Sequence, residues 1–184
     1  MSGEEIARMK SAARQLARER RDGTDSGLGL RAAERLRAEI GAPNGHPIAA
    51  YLPIGSEIDP LPALRGWPVC LPVVEGRGQP LRFRLWEEGA PLAPGPFGTR
   101  HPERGVWVQP RYLVVPLLAF DRRCMRLGYG GGFYDRTLAM LRALHPVRAI
   151  GFAFAVQEVP VVPVEDTDAP LDAVVTEHET FRRR

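Results

Sequence analysis

The sequence has 184 residues, 44% of them hydrophobic and 26% charged, a balance that suits one folded domain (1–184) with a sizeable core and excludes a fibrous or disordered chain. A net charge of +3 fits small anionic ligands and argues against a nucleic-acid-binding protein, and no run approaches the 18 apolar residues of a membrane span. Cys70 and Cys124 are too few for a disulfide framework or a zinc site, and Met1 to Lys10 lacks the apolar core of a secretory signal, so a reducing cytoplasm is the expected setting.

Ile6, Met9, Ala13 and Leu16 recur at helical spacing, which predicts an amphipathic helix over 5–21 with a basic outer face, stopped by Asp22-Gly23. A second helix is predicted from Leu28 to Ile40, ending at Gly41 and Pro43. Short apolar runs then predict strands at Ile48–Leu52, Val69–Val74, Leu81–Trp86 and Tyr112–Val115. Glu87 to Arg111, rich in Pro and Gly, reads as a long loop with a short strand or turn inside, long enough to act as a lid. Tyr134–Leu144 reads as a helix, Val147–Phe154 as a strand and Leu171–Thr176 as a last strand. Strands alternating with helices predict an α/β fold: one three-layer domain with a mostly parallel, Rossmann-like central sheet and helices on both faces. Ligands of such sheets lie beyond the carboxyl ends of the strands, where the segments 53–59 and 116–134 leave.

The segment Arg126-Leu-Gly-Tyr-Gly-Gly-Gly-Phe-Tyr-Asp-Arg136 carries the strongest signal. Glycines entering a helix aim several backbone N–H groups at one point, let an anion approach closely and place it at the positive end of the helix dipole. Arg126 adds a planar fork suited to phosphate, and Asp135 could ligate a magnesium ion bridging phosphates. The segment is neither GxxxxGK[ST] nor GxGxxG, since Phe133 fills the last glycine position; Gly27-Leu-Gly-Leu-Arg-Ala32 matches GxGxxA but follows no strand.

Of the 25 basic residues only Lys10 is a lysine, and it lies four residues before Arg14. On one helix face that pair could grip a polyphosphate or simply form a solvated basic surface. Glu57 leaves the strand Ile48–Leu52 and could accept paired hydrogen bonds from an amino-pyrimidine edge or cap a helix, whereas Asp59 before Pro60 reads as a helix N-cap. Asp172 could be a metal ligand or a turn residue.

Taken together, these segments resemble the 5-formyltetrahydrofolate cyclo-ligase (methenyltetrahydrofolate synthetase) family. The resemblance runs in order through Lys10 and Arg14, Tyr51 to Glu57, Phe97-Gly98, Val115-Pro116, Phe120-Asp121, the glycine segment, and Leu171-Asp172-Ala-Val-Val-Thr-Glu177. It implies conversion of 5-formyltetrahydrofolate to 5,10-methenyltetrahydrofolate by a monomeric enzyme, with ATP and Mg2+ consumed or required and ADP and phosphate released. It further implies an ATP site of Lys10, Ser11, Ala12, Ala13, Arg14, Arg126, Leu127, Gly128, Tyr129, Gly130, Gly131, Gly132, Phe133 and Tyr134, with Lys10 and Arg126 catalytic. Leu52, Glu57 and Tyr129 to Phe133 would meet the folate, and Asp135 and Asp172 would hold magnesium. This sequence departs from the family pattern at Ala13 (usually Leu), Cys124 (a turn Gly), Phe133 (usually Tyr), Pro60 (usually Thr) and His101, where an acid is usual.

Overall fold

The computed structural model describes residues 3–184. Helix α1 (Gly3–Asp22) is followed by a 3-10 turn and α2 (Gly29–Ile40). Strand β1 (Ile48–Ala49), the single-turn α3 (Leu61–Leu64), β2 (Val69–Val73) and β3 (Arg82–Trp86) come next. The long loop holds β4 (Leu92–Pro94), β5 (Arg100–Pro102) and β6 (Trp107–Val108), three short strands where the sequence suggests one strand or turn. After β7 (Tyr112–Val115), a hairpin of β8 (Ala119–Phe120) and β9 (Arg126–Leu127) leads into α4 (Phe133–Leu144), then β10 (Arg148–Phe152), β11 (Ala173–Val175) and β12 (Thr180–Arg182).

Eight strands form the central sheet in the order β12-β11-β10-β7-β1-β2-β3-β6. The five inner strands, β11 to β2, run parallel, and antiparallel strands close both edges. Alternate side chains along each inner strand go to opposite faces, as the pleat requires. Ile48, Leu71, Val114, Ile150, Ala173 and Val175 pack with Ala32, Ala33, Leu36 and Ile40 of α2. Ala49, Cys70, Leu113, Val115, Ala149 and Val174 pack with Leu138 and Leu141 of α4. A helix on each face gives the three layers predicted from the alternation of strands and helices.

Helix α1 lies outside those layers, across the β8–β9 hairpin, where Ala17 packs with Leu118, Ala119, Leu127 and Val162. Its orientation corrects the sequence expectation. Met9 and Leu16 are 45% and 49% exposed, while Lys10 and Arg21 are 7% and 5% exposed. The basic stripe Lys10, Arg14, Arg21, with the small Ala17 between, is the one that turns inward. It can do so because carboxylates and carbonyl oxygens wait there to hold it, and a buried cation with such partners is tolerated.

Candidate active site

The glycine-rich turn sits where the parallel strands end. β7 leaves the sheet at Val115, the β8–β9 hairpin carries the chain out to Arg126, and the turn brings it back into the first residue of α4. Gly132, in the left-handed conformation at φ 63°, is the residue before that helix, and Gly130 has φ 99°. A Cβ on Gly130 would also stand 3.3 Å from the Arg14 guanidinium carbon. The turn is therefore shaped by backbone that only glycine adopts readily and by the close approach of α1.

Arg14 donates from Nε to the Gly128 carbonyl at 2.9 Å, tying α1 to the turn. Lys10, one helical turn earlier, donates to Asp168 at 2.6 Å and Glu165 at 2.7 Å. Burial opposes the charge on Lys10, but the hydrogen bonds to Asp168 and Glu165 outweigh it and hold its pKa above the usual lysine value. Ser11 and Ala12 lie on the exposed side of α1, and Ala13 packs on the hairpin, so of that span only Lys10 and Arg14 turn to the site.

Arg126 is buried and donates to Asp135 Oδ1 at 2.9 Å and to the Ala169 carbonyl at 3.0 Å. The Ala169 N–H bonds the same Asp135 oxygen at 3.0 Å. Leu127 is buried in the hairpin core. Phe133 rests against Phe97 with ring centroids 5.9 Å apart, so the tip of the β4–β5 loop touches the glycine turn. Tyr134 is packed on the α4 side of the sheet.

On the opposite side of this space the chain leaves β1 through Tyr51, whose hydroxyl donates to the Ile58 carbonyl at 2.7 Å and folds the segment 51–58 into a loop. That loop buries the Glu57 side chain to 5% exposure. Glu57 Oε2 accepts from the Ile54 N–H at 2.9 Å, and its Oε1 accepts from the Tyr129 hydroxyl. Burial raises the Glu57 pKa above the usual carboxylate range, while Tyr129, Ile54 and Arg21 pull the other way. Glu57 is thus a buried acceptor and not a helix cap. Asp59 accepts from the Leu61 N–H at 2.9 Å from one position before the N-cap of this single helical turn; Pro60 holds the cap itself, without a side-chain capping bond, so the N-cap expected of Asp59 is displaced by one residue. Leu52 packs on the α2-side core beside this loop.

Asp172 is not brought to Asp135. Its carboxylate accepts from the Ala149 N–H at 2.7 Å and from Arg142 at 3.1 Å, at the amino end of β10. Arg142 is seven residues along α4 from Asp135, about 10 Å of helix rise. The carboxylate that does lie beside the Asp135 corner is Asp168, next in sequence to Ala169. Each of these two acids engages its partners through one oxygen, Asp135 through Oδ1 and Asp168 through Oδ2. Among the described residues no group of three or more His, Cys, Asp or Glu could hold a metal alone. One or two carboxylates completed by phosphate oxygens and water is, however, the arrangement magnesium favours.

Comparison with known proteins decides the family. Residues 5–177 match the 5-formyltetrahydrofolate cyclo-ligase family. The chain belongs to that family. Among the curated relatives, the 5-formyltetrahydrofolate cyclo-ligase of Escherichia coli K12 is 34% identical over 161 residues, covering 81% of this chain and 87% of that protein. The enzyme of the same name from Mycolicibacterium smegmatis is 37% identical over 123 residues, 58% of this chain and 62% of that protein. The NMR structure of Aquifex aeolicus 5,10-methenyltetrahydrofolate synthetase superposes with a TM-score of 0.78 at 28% identity, covering 96% of this chain and 93% of that one. Within this cyclo-ligase family member, Arg21, Glu165 and Asp168 are neighbours of the candidate site that the sequence motifs do not pick out. Arg21 alone had a readable signal, since it continues the stripe of Lys10, Arg14 and Ala17 at helical spacing.

Proposed function

We propose that this chain closes 5-formyltetrahydrofolate to 5,10-methenyltetrahydrofolate, with ATP as co-substrate, Mg2+ as cofactor, and ADP and phosphate as the other products. The observation that carries the reading is the convergence of two dissimilar half-sites at the carboxyl ends of the strands. One is a cationic glycine turn at a helix start, with Lys10, Arg14 and Arg126; the other is the buried acceptor Glu57.

The formyl oxygen of the substrate is a poor leaving group. In this reading it attacks the γ-phosphorus of ATP, and the bond from that phosphorus to the ADP oxygen breaks. N10 then attacks the formyl carbon, the carbon–oxygen bond breaks, phosphate leaves with the former formyl oxygen, and the N10 proton passes to water. The protein supplies position and charge neutralisation. Glu57 accepts the donors of the amino-pyrimidine ring, with Leu52 beside it. Backbone N–H groups from Gly128 to Gly132 and the Arg126 guanidinium face the transferring phosphoryl oxygens. Lys10 and Arg14 hold the triphosphate, and Phe133 and Tyr134 wall the turn. Asp135, with Asp168 as the nearer second carboxylate and Asp172 remote, would hold magnesium, which supplies neutralisation of the phosphate charge when bound. No covalent enzyme intermediate is involved.

Substrate carrying 18O in the formyl group tests the route. The label should appear in the released inorganic phosphate, one atom per turnover. Phosphate free of label alongside labelled water would contradict phosphorylation of the formyl oxygen.

A further inference from the structure

Arg21 stands at the last turn of α1, where the helix dipole favours a cation, yet it is 5% exposed and no phosphate-binding feature accounts for it. Its Nε donates to Ser56 Oγ at 3.0 Å and one terminal nitrogen donates to the Tyr129 hydroxyl at 2.7 Å. That same nitrogen is 3.9 Å from Glu57 Oε1. The Tyr129 hydroxyl in turn donates to Glu57, so the phenol bridges guanidinium and carboxylate. Ser56 Oγ also donates to Asp22, which fixes the other side of the guanidinium. Three segments, the end of α1, the loop after β1 and the glycine turn, meet at this one side chain.

The groups around Glu57 divide simply. Tyr51, Tyr129 and Tyr134 are phenols whose pKa values burial drives up, so they face the carboxylate uncharged. Arg21 is the cation that opposes it, while Arg18, like Arg21, lies 5.8 Å from the Tyr129 ring centroid. Asp59, in the same loop, turns its carboxylate to the Leu61 N–H.

We infer that Arg21 is a positioning residue for the folate: acting through Tyr129 and Ser56, it keeps the Glu57 carboxylate negative and aimed, ready for the paired N–H donors of an amino-pyrimidine ring. This rests on the reading of Glu57 given above. Arg21 touches neither the phosphates nor the reacting atoms, so its loss acts on folate recognition and spares ATP.

The test compares the full chain as wild type, Arg21→Gln, Arg21→Lys and Tyr129→Phe, measuring KM for 5-formyltetrahydrofolate and for ATP across pH. Arg21→Gln should raise the folate KM about tenfold or more, the loss expected when one partner of a buried charge pair is removed. The ATP KM should stay within about threefold, a split that marks lost ground-state binding of one substrate. The acidic limb of the folate profile should move to higher pH, because Glu57 without its cation holds a proton longer. Arg21→Lys keeps the charge and should return that limb toward the wild-type position. Tyr129→Phe cuts the bridge on an exposed turn, leaves no cation stripped of all partners, and should shift folate KM and limb in the same direction even if Arg21→Gln fails to fold. A folate KM and limb unchanged in Tyr129→Phe or in folded Arg21→Gln overturns the inference, as does an equal rise in both KM values. A wild-type chain that forms no methenyl product overturns this inference together with the reading beneath it; an active wild type with unaffected variants overturns this inference alone.

Discussion

At Asp121 a single fully buried carboxylate answers the N–H groups of Arg123 and Val162 at 2.9 Å and of Met125 at 3.3 Å, and the Arg123 guanidinium besides. Burial alone would raise its pKa, but the Arg123 side chain and the backbone donors outweigh it and hold the carboxyl below the usual value. A depressed folded pKa contributes stability that is present above the unfolded carboxylate pKa and is lost as pH falls through the folded one. Asp121→Asn should therefore lower the unfolding free energy by about 1–3 kcal/mol at neutral pH, the cost of orphaned donors. The gap from wild type should narrow as pH drops below the ordinary carboxylate range, read from urea unfolding at several pH values. A gap that holds constant to low pH would contradict the account. Residues of this kind were only partly legible in the sequence. Lys10 stood out as the single lysine and Arg126 through its motif, but Asp121 and Asp168 look like ordinary turn acids until the fold brings donors to them from 41 and 158 residues away in sequence.

At the scale of elements, β10 shows how tightly the layers meet. A Cβ on Gly151 would stand 2.7 Å from Leu171, 2.9 Å from Leu117 and 3.2 Å from Val174, all side chains of the α4-side core or its margin. Gly151→Ala should cost about 1–3 kcal/mol through overpacking and should speed thermal unfolding without a change in substrate KM, measured by calorimetry and steady-state kinetics. An unaltered Tm would mean that the core yields more easily than its packing indicates. The inner strands were legible because each is a short apolar run. The edge strand β12 was not, because Thr180–Arg182 carries one apolar residue, and its pairing with β11 is reinforced from afar by Arg182 on the buried Glu39 at 2.7 Å. The face of α1 was misread for a related reason. Apolar periodicity reports burial against a hydrophobic layer, whereas α1 docks largely through Lys10, Arg14 and Arg21 on polar partners.

Across the whole molecule, the polarity of the sheet sets the candidate site at one end. The glycine turn, Glu57 and the inward face of α1 gather at the carboxyl ends, as parallel sheets favour. Asp172, which the family resemblance placed with the metal, instead accepts from the Ala149 N–H near the amino end of the strands. At that end a cleft of about 710 Å3 opens between the start of β2 and the end of β3, lined by Trp67 and Trp86. None of the convergent charged groups lines this hollow, so charge and backbone geometry, not volume, mark the candidate site. The long loop supplies a second whole-molecule link, since Phe97 reaches from it to Phe133 on the turn.

The measurement that bears most directly on the central claim mixes the purified chain with ATP, Mg2+ and 5-formyltetrahydrofolate and follows the near-ultraviolet absorbance of the methenyl product. A rise that requires both ATP and Mg2+ is expected, and its rate should fall about a hundredfold or more in Arg126→Ala, the loss typical of a preorganised anion-stabilising donor. Folded wild-type protein that gives no rise beside an active control enzyme, or an Arg126→Ala chain that turns over at the wild-type rate, would contradict that claim.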